Sequence, residues 1–116
     1  MQLRIIDIIK TNFAVTTDDG DKIFDLLDQN FSNKTSVILD FEGITLMTTA
    51  FLNSSIGQLY SNNKYSSEFL NKNLKIVNIQ EQDKSLFAIV VKRAKEYFAD
   101  RQGFEKNTSD SIYGSD

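Results

Sequence analysis

Two neighbouring hydroxyls, Thr48 and Thr49, stand between a short apolar patch at residues 44–47 and a helical pattern of side chains. A helix that starts at this pair presents unpaired backbone N–H groups and the positive end of its dipole. A phosphate on either hydroxyl would be well placed there, so both are phosphoacceptor candidates. Threonine is also a common N-cap, and capping alone accounts for the same two residue types. The second chemistry-bearing pair is Asp40 and Glu42, at the end of the apolar run Val37, Ile38, Leu39. Asp40 could accept a phosphoryl group if an acidic pair and a lysine held a metal beside it. Asp18 and Asp19 imitate that pair but open a helix instead of ending a strand. As general acid and base, Asp40 and Glu42 are too close in sequence to flank a substrate, and tryptophan, the usual sugar platform, is absent.

Composition narrows the chemistry further. The chain of 116 residues has no Cys, His, Pro or Trp. Zinc, haem and iron–sulfur sites lose their usual ligands, and Ser–His and Cys–His nucleophiles are excluded. Neither a metal site nor a cofactor is expected, and no enzymatic activity. The net charge of -3 disfavours a nucleic-acid partner. No apolar run is long enough for a membrane span, and Arg4 and Asp7 interrupt the N-terminal apolar residues. A cytoplasmic protein without membrane contact is expected.

The elements that must position these residues follow from local patterns. Residues 3–9 are rich in isoleucine and predict a first strand, with residues 13–16 pairing back as a hairpin partner. Thr16, Thr17, Asp18 and Asp19 predict a helix start, followed by a buried face of Ile23, Leu26, Leu27 and Phe31. Residues 37–41 predict the central strand. In the helix after Thr49, Leu52, Ile56 and Leu59 form the apolar stripe, and Ala50, Ser54 and Gly57 a small-residue strip where backbones can approach closely. Phe51 falls outside the stripe and is either a boundary core residue or an exposed aromatic beside the threonines. Residues 61–73 predict a flap or a continuation of that helix. A strand at residues 74–79 and a long helix bearing Leu86, Phe87, Val90, Val91, Ala94, Tyr97 and Phe98 complete the order β(β)αβαβα. Lys92, Arg93, Lys95 and Glu96 form the solvated side of that helix. One α/β domain is expected over residues 1–100, a single mixed β-sheet with helices packed against it, followed by a polar, disordered tail over residues 101–116.

The run VILDFEGITLMTTAFLNSSIGQLY resembles the STAS-like domains. In particular it resembles a bacterial group of unknown function whose central segment reads LDFEGV, a spacer, a small hydroxyl pair and a Phe. More distantly it is similar to the anti-sigma factor antagonists, in which Met precedes Asp-Ser-Ser-Gly-Leu at the start of a helix. On that resemblance Met47 matches the Met, Thr48 the Asp, Thr49 the phosphorylated Ser, Ala50 the next Ser and Leu52 the Leu. Phe51 replaces the Gly, which puts bulk where a kinase partner would approach. The resemblance implies a STAS-like fold and a non-catalytic regulatory protein-interaction module in bacterial signalling. Its partner would be an ATP-binding histidine-kinase-like (anti-sigma kinase) protein that phosphorylates Thr49, or failing that Thr48. Phe51, Ser54 and Ser55 would line the docking face, with Asp40 and Glu42 on the adjoining loop. The alternative is a constitutive scaffold or oligomerisation domain that uses the same face unmodified.

Overall fold

A computed structural model describes the backbone of residues 1–62 and 64–110, and side-chain burial for residues 1–62 and 64–96. Strand β1 (Gln2–Arg4) is shorter than its sequence suggests, because the isoleucine run turns into helix α1 (Ile5–Ile9). Ile5 and Ile9, one helical turn apart, both enter the core, and that burial outweighs the strand preference of β-branched residues. Lys10, at φ 64°, ends the turn and donates its N–H to the Ile6 carbonyl.

Helix α2 (Thr17–Ser32) forms as its pattern predicts. Thr16 caps it by accepting the Asp19 N–H at 3.1 Å, and Asp18 and Asp19 sit at the positive end of the dipole. Ile23, Leu27 and Phe31 bury one face, and Leu26, expected with them, is only half-buried at its edge. Strand β3 (Val37–Asp40) then runs through the middle of a three-stranded parallel sheet, order β1–β3–β5, with β5 at Leu74–Val77. Leu39 lies opposite Leu3 on one side and Ile76 on the other.

Strand β2 (Phe13–Ala14) does not form a hairpin with β1. It pairs in parallel with β4 (Leu46–Met47) as a separate two-stranded sheet. Every pairing among the described residues is therefore parallel, divided between two sheets, where one mixed sheet was expected. The α/β class and the single compact domain stand.

The central helix begins as α3 (Thr49–Leu52), widens into a π-helical turn (Asn53–Gly57) and ends as α4 (Gln58–Ser61). Beyond it the chain neither continues this helix nor forms an open flap. A separate helix α5 (Ser67–Asn73), capped by Ser66, places Phe69 and the preceding Tyr65 against Phe31, with ring centroids 5.3–5.6 Å apart. Helix α6 (Glu81–Asp110) buries Val90 and Ala94 and half-buries Leu86, Phe87 and Val91. The burial expected of Tyr97 and Phe98 lies outside the described side chains. The α6 backbone carries through residues 101–110, and the rest of the expected tail, residues 111–116, lies outside the described residues.

Close backbone approach occurs at Ser54 of the small-residue strip and not at Gly57. A Cβ at Gly57 would meet only ordinary contacts of 3.4–3.5 Å. At Gly20 of α2 it would collide with the Ser54 hydroxyl and lie 2.7 Å from the Phe51 carbonyl, so Gly20 is what lets α2 and the central helix touch.

Candidate functional site

The two threonines have different surroundings. Thr48 is the N-cap: its Oγ1 accepts the Phe51 N–H at 3.2 Å and donates to the Val15 carbonyl at 2.8 Å. Its own N–H bonds to the Ala14 carbonyl at 3.1 Å, so Thr48 ties the end of β2 to the start of the central helix. It is half-buried, with its hydroxyl engaged as both donor and acceptor. Thr49, the first helical residue, is exposed, and its hydroxyl makes no hydrogen bond among the described residues. The N-terminal turn thus holds one hydroxyl that builds the structure and one that faces solvent.

Phe51 is not part of any docking face: its side chain is 0% exposed and belongs to the core. The π-helical turn just after it changes its position relative to the stripe. At 100° per residue Phe51 lies about 140° from Ile56 and falls off the apolar stripe. A π turn adds one residue to the helix without adding a turn, so the two come to within about 40° of each other. Ser54 and Ser55, also expected on the docking face, are buried as well. Both hydroxyls donate to the Phe51 carbonyl, at 3.1 Å and 2.8 Å, and thereby supply hydrogen bonds to the backbone at the widened turn. These three residues hold the helix in place from inside.

Asp40 is also buried, at 2% exposure, and does not lie open on a loop. Its Oδ1 accepts the Asn78 side-chain amide and the Glu42 N–H, both at 2.9 Å. Its Oδ2 accepts the Gln2 amide at 3.2 Å, with Arg4 Nε at 3.7 Å. The Asn78 hydrogen bond is the largest influence on its acidity. Helped by the Glu42 N–H, Arg4 and Gln2, it holds the carboxyl below the usual aspartate range against the opposing effect of burial. Glu42 is exposed and pairs with Arg4 at 3.3 Å. One guanidinium therefore bridges both carboxylates, and the ends of all three parallel strands meet at Asp40. Residue types alone did not signal Gln2, Arg4 and Asn78, because the three come together only when β1, β3 and β5 align.

As a phosphoryl acceptor Asp40 would need a lysine near the later strand, and Asn78 occupies that place. Asp19 is instead paired with Lys22 within α2, at 3.6 Å. No group of three or more metal-ligating side chains gathers among the described residues.

One exposed feature had no sequence signal beyond strand pattern. Phe13 and Leu46 lie side by side in the two-stranded sheet, 49% and 52% exposed, while their neighbours Ala14 and Met47 point inward. The strand bearing Leu46 leads directly into Thr48 and Thr49.

Residues 19–84, from the first turn of α2 to the first turn of α6, match the family described as the STAS-like domain of unknown function, DUF4325. The chain belongs to this family. No curated protein and no solved structure matches it. The matched span of the STAS-like domain contains Asp40, both threonines and the π-helical turn. Among the described residues no helix is long and apolar enough to cross a membrane.

Proposed function

We propose that this STAS-like domain is a non-catalytic, cytoplasmic regulatory module that binds a protein partner and is switched by phosphorylation of Thr49. The observation that carries this reading is the division of labour between the two threonines. Thr48 completes the cap and Thr49 stands exposed in the first turn. A phosphate on Thr49 adds nearly two negative charges beside the unpaired N–H groups of that turn, enough to create or abolish a complex without disturbing the core. Thr48 serves less well, because modifying it would break the bonds to Val15 and Phe51. The partner is an ATP-binding kinase of the histidine-kinase-like type. Its contact surface is drawn from exposed Thr49, Ala50 and Asn53 and the Phe13–Leu46 pair.

The test is incubation of the chain with such a kinase and ATP, followed by mass spectrometry of the peptide spanning both threonines. A gain of about 80 Da, one phosphate, is expected on Thr49 and is expected to vanish in Thr49→Ala. Phosphate placed on another residue, or equal partner affinity for Thr49→Ala and Thr49→Asp, contradicts the switch. The second outcome supports a constitutive scaffold, which the exposed Phe13–Leu46 pair favours independently. That form would lose its partner on Phe13→Ser with Leu46→Ser, whatever residue stands at 49.

A further inference from the structure

At the other end of the central helix, we propose that the groove between α4, α5 and α6 binds an amphiphilic anion, a carboxylate or sulfonate carried on an apolar body. The groove is open to solvent along one side and offers about 450 Å³. Phe87 and Val91, both half-buried, supply its apolar lining together with the ring of Tyr60. Ala88 contributes only a methyl group there, which leaves the space open. Lys92 and Lys95 complete the lining from α6, and among the described residues no carboxylate lines the groove.

The charge arrangement selects the ligand. The chain carries a net charge of -3, yet among the described residues this apolar groove is lined by two exposed ammonium groups and no acid. Lys95 Nζ lies 5.2 Å from the centre of the Tyr60 ring, close enough for a cation–π attraction that places it beside the groove. Neither lysine forms an ion pair among the described residues. The Tyr60 hydroxyl donates to Asn71 Oδ1 at 3.2 Å, so Asn71 keeps its two amide hydrogens for an acceptor on the ligand. A small inorganic anion would leave Phe87 and Val91 wet, and a neutral amphiphile would gain nothing from the two exposed lysines. A ligand with both parts uses the whole lining.

This site is independent of Thr49, which lies eleven residues before Tyr60, about 16 Å along a helix at 1.5 Å per residue. The test is titration of the full chain with decanoate below its micelle concentration, followed by amide NMR shifts and by displacement of anilinonaphthalene sulfonate fluorescence. One saturable site is expected, with shifts concentrated on Tyr60, Asn71 and Val91. Lys92→Gln with Lys95→Gln is expected to weaken binding by up to about tenfold, the effect of losing two exposed ion pairs. Ala88→Trp is expected to abolish binding by filling the groove while the rest of the spectrum is preserved. The proposal is overturned by absence of saturation, by decanol binding as tightly as decanoate, or by Ala88→Trp binding as well as the parent chain.

Discussion

Asp40 and Thr49 mark the two ends of the same connection, from the close of β3 to the first turn of the central helix. Both residue types can carry a phosphoryl group, and their surroundings separate them. Around Asp40 both carboxylate oxygens are engaged: two amide side chains and one backbone N–H donate to them, and a guanidinium stands 3.7 Å away, at a residue with 2% exposure. Thr49 stands in solvent with its hydroxyl unengaged among the described residues. A polar group whose hydrogen bonds are all made inside the protein stabilises the fold, and using it in chemistry would cost that stability. A polar group that the fold does not use can be modified at little cost. Thr48 and Thr49 repeat the contrast between adjacent residues.

Substitutions can break or sharpen this comparison. The largest effect is expected at Phe51, which the helical pattern left ambiguous. Phe51→Ala should cost about 3–5 kcal/mol in urea unfolding, as for a fully buried aromatic. A cost below about 1 kcal/mol would mean that the ring is not in the core. Asp40→Ala should cost about 1–3 kcal/mol, because the Gln2 and Asn78 amides and the Glu42 N–H lose their acceptor.

The same site gives a pH dependence. The Asp40 carboxyl is held below its unfolded value of about 3.9, so the folded state binds the proton less readily than the unfolded chain. Its stabilisation is fully present above that value and is lost as pH falls through the lower folded value. Asp28 is lowered as well, first by its hydrogen bond to Lys64 and then by Tyr65, and acts in the same direction. Urea midpoints measured from pH 6 to pH 2 should fall, and the gap between the parent and Asp40→Asn should narrow at the acid end. A gap that stays constant with pH would remove Asp40 from the acid response.

Smaller effects are expected at the threonines. Thr48→Ala should cost about 1 kcal/mol through the lost cap. Thr49→Ala should stay within about 0.5 kcal/mol of the parent, as an exposed substitution. Equal losses at the two positions would erase the distinction on which the proposed switch depends.

Much of this arrangement was legible because it is local. The Thr16 cap, the acidic first turn and the Ile23–Leu27–Phe31 face of α2 lie within a few residues of one another, and helix formation reads them directly. The start of the central helix at Thr48 was readable for the same reason, and so was the family resemblance carried by that segment, whereas strand β4 just before it read only as an apolar patch. The isoleucine run at the N-terminus misled because strand propensity is a weak preference that core packing overrides, as at Ile5 and Ile9.

The sequence by itself determined the α/β class, the boundaries of α2 and the start of the central helix, since caps and periodic burial act over one or two turns. Only the tertiary structure decided which strands pair, since the partners β2 and β4 lie more than thirty residues apart in the chain. It also decided that Phe51 turns inward, because the central helix is covered on more than one side, with α2 against it at Gly20. Of the two threonines, it assigned Thr48 to the fold and left Thr49 open, because the Val15 carbonyl that engages the first reaches it only across the folded molecule.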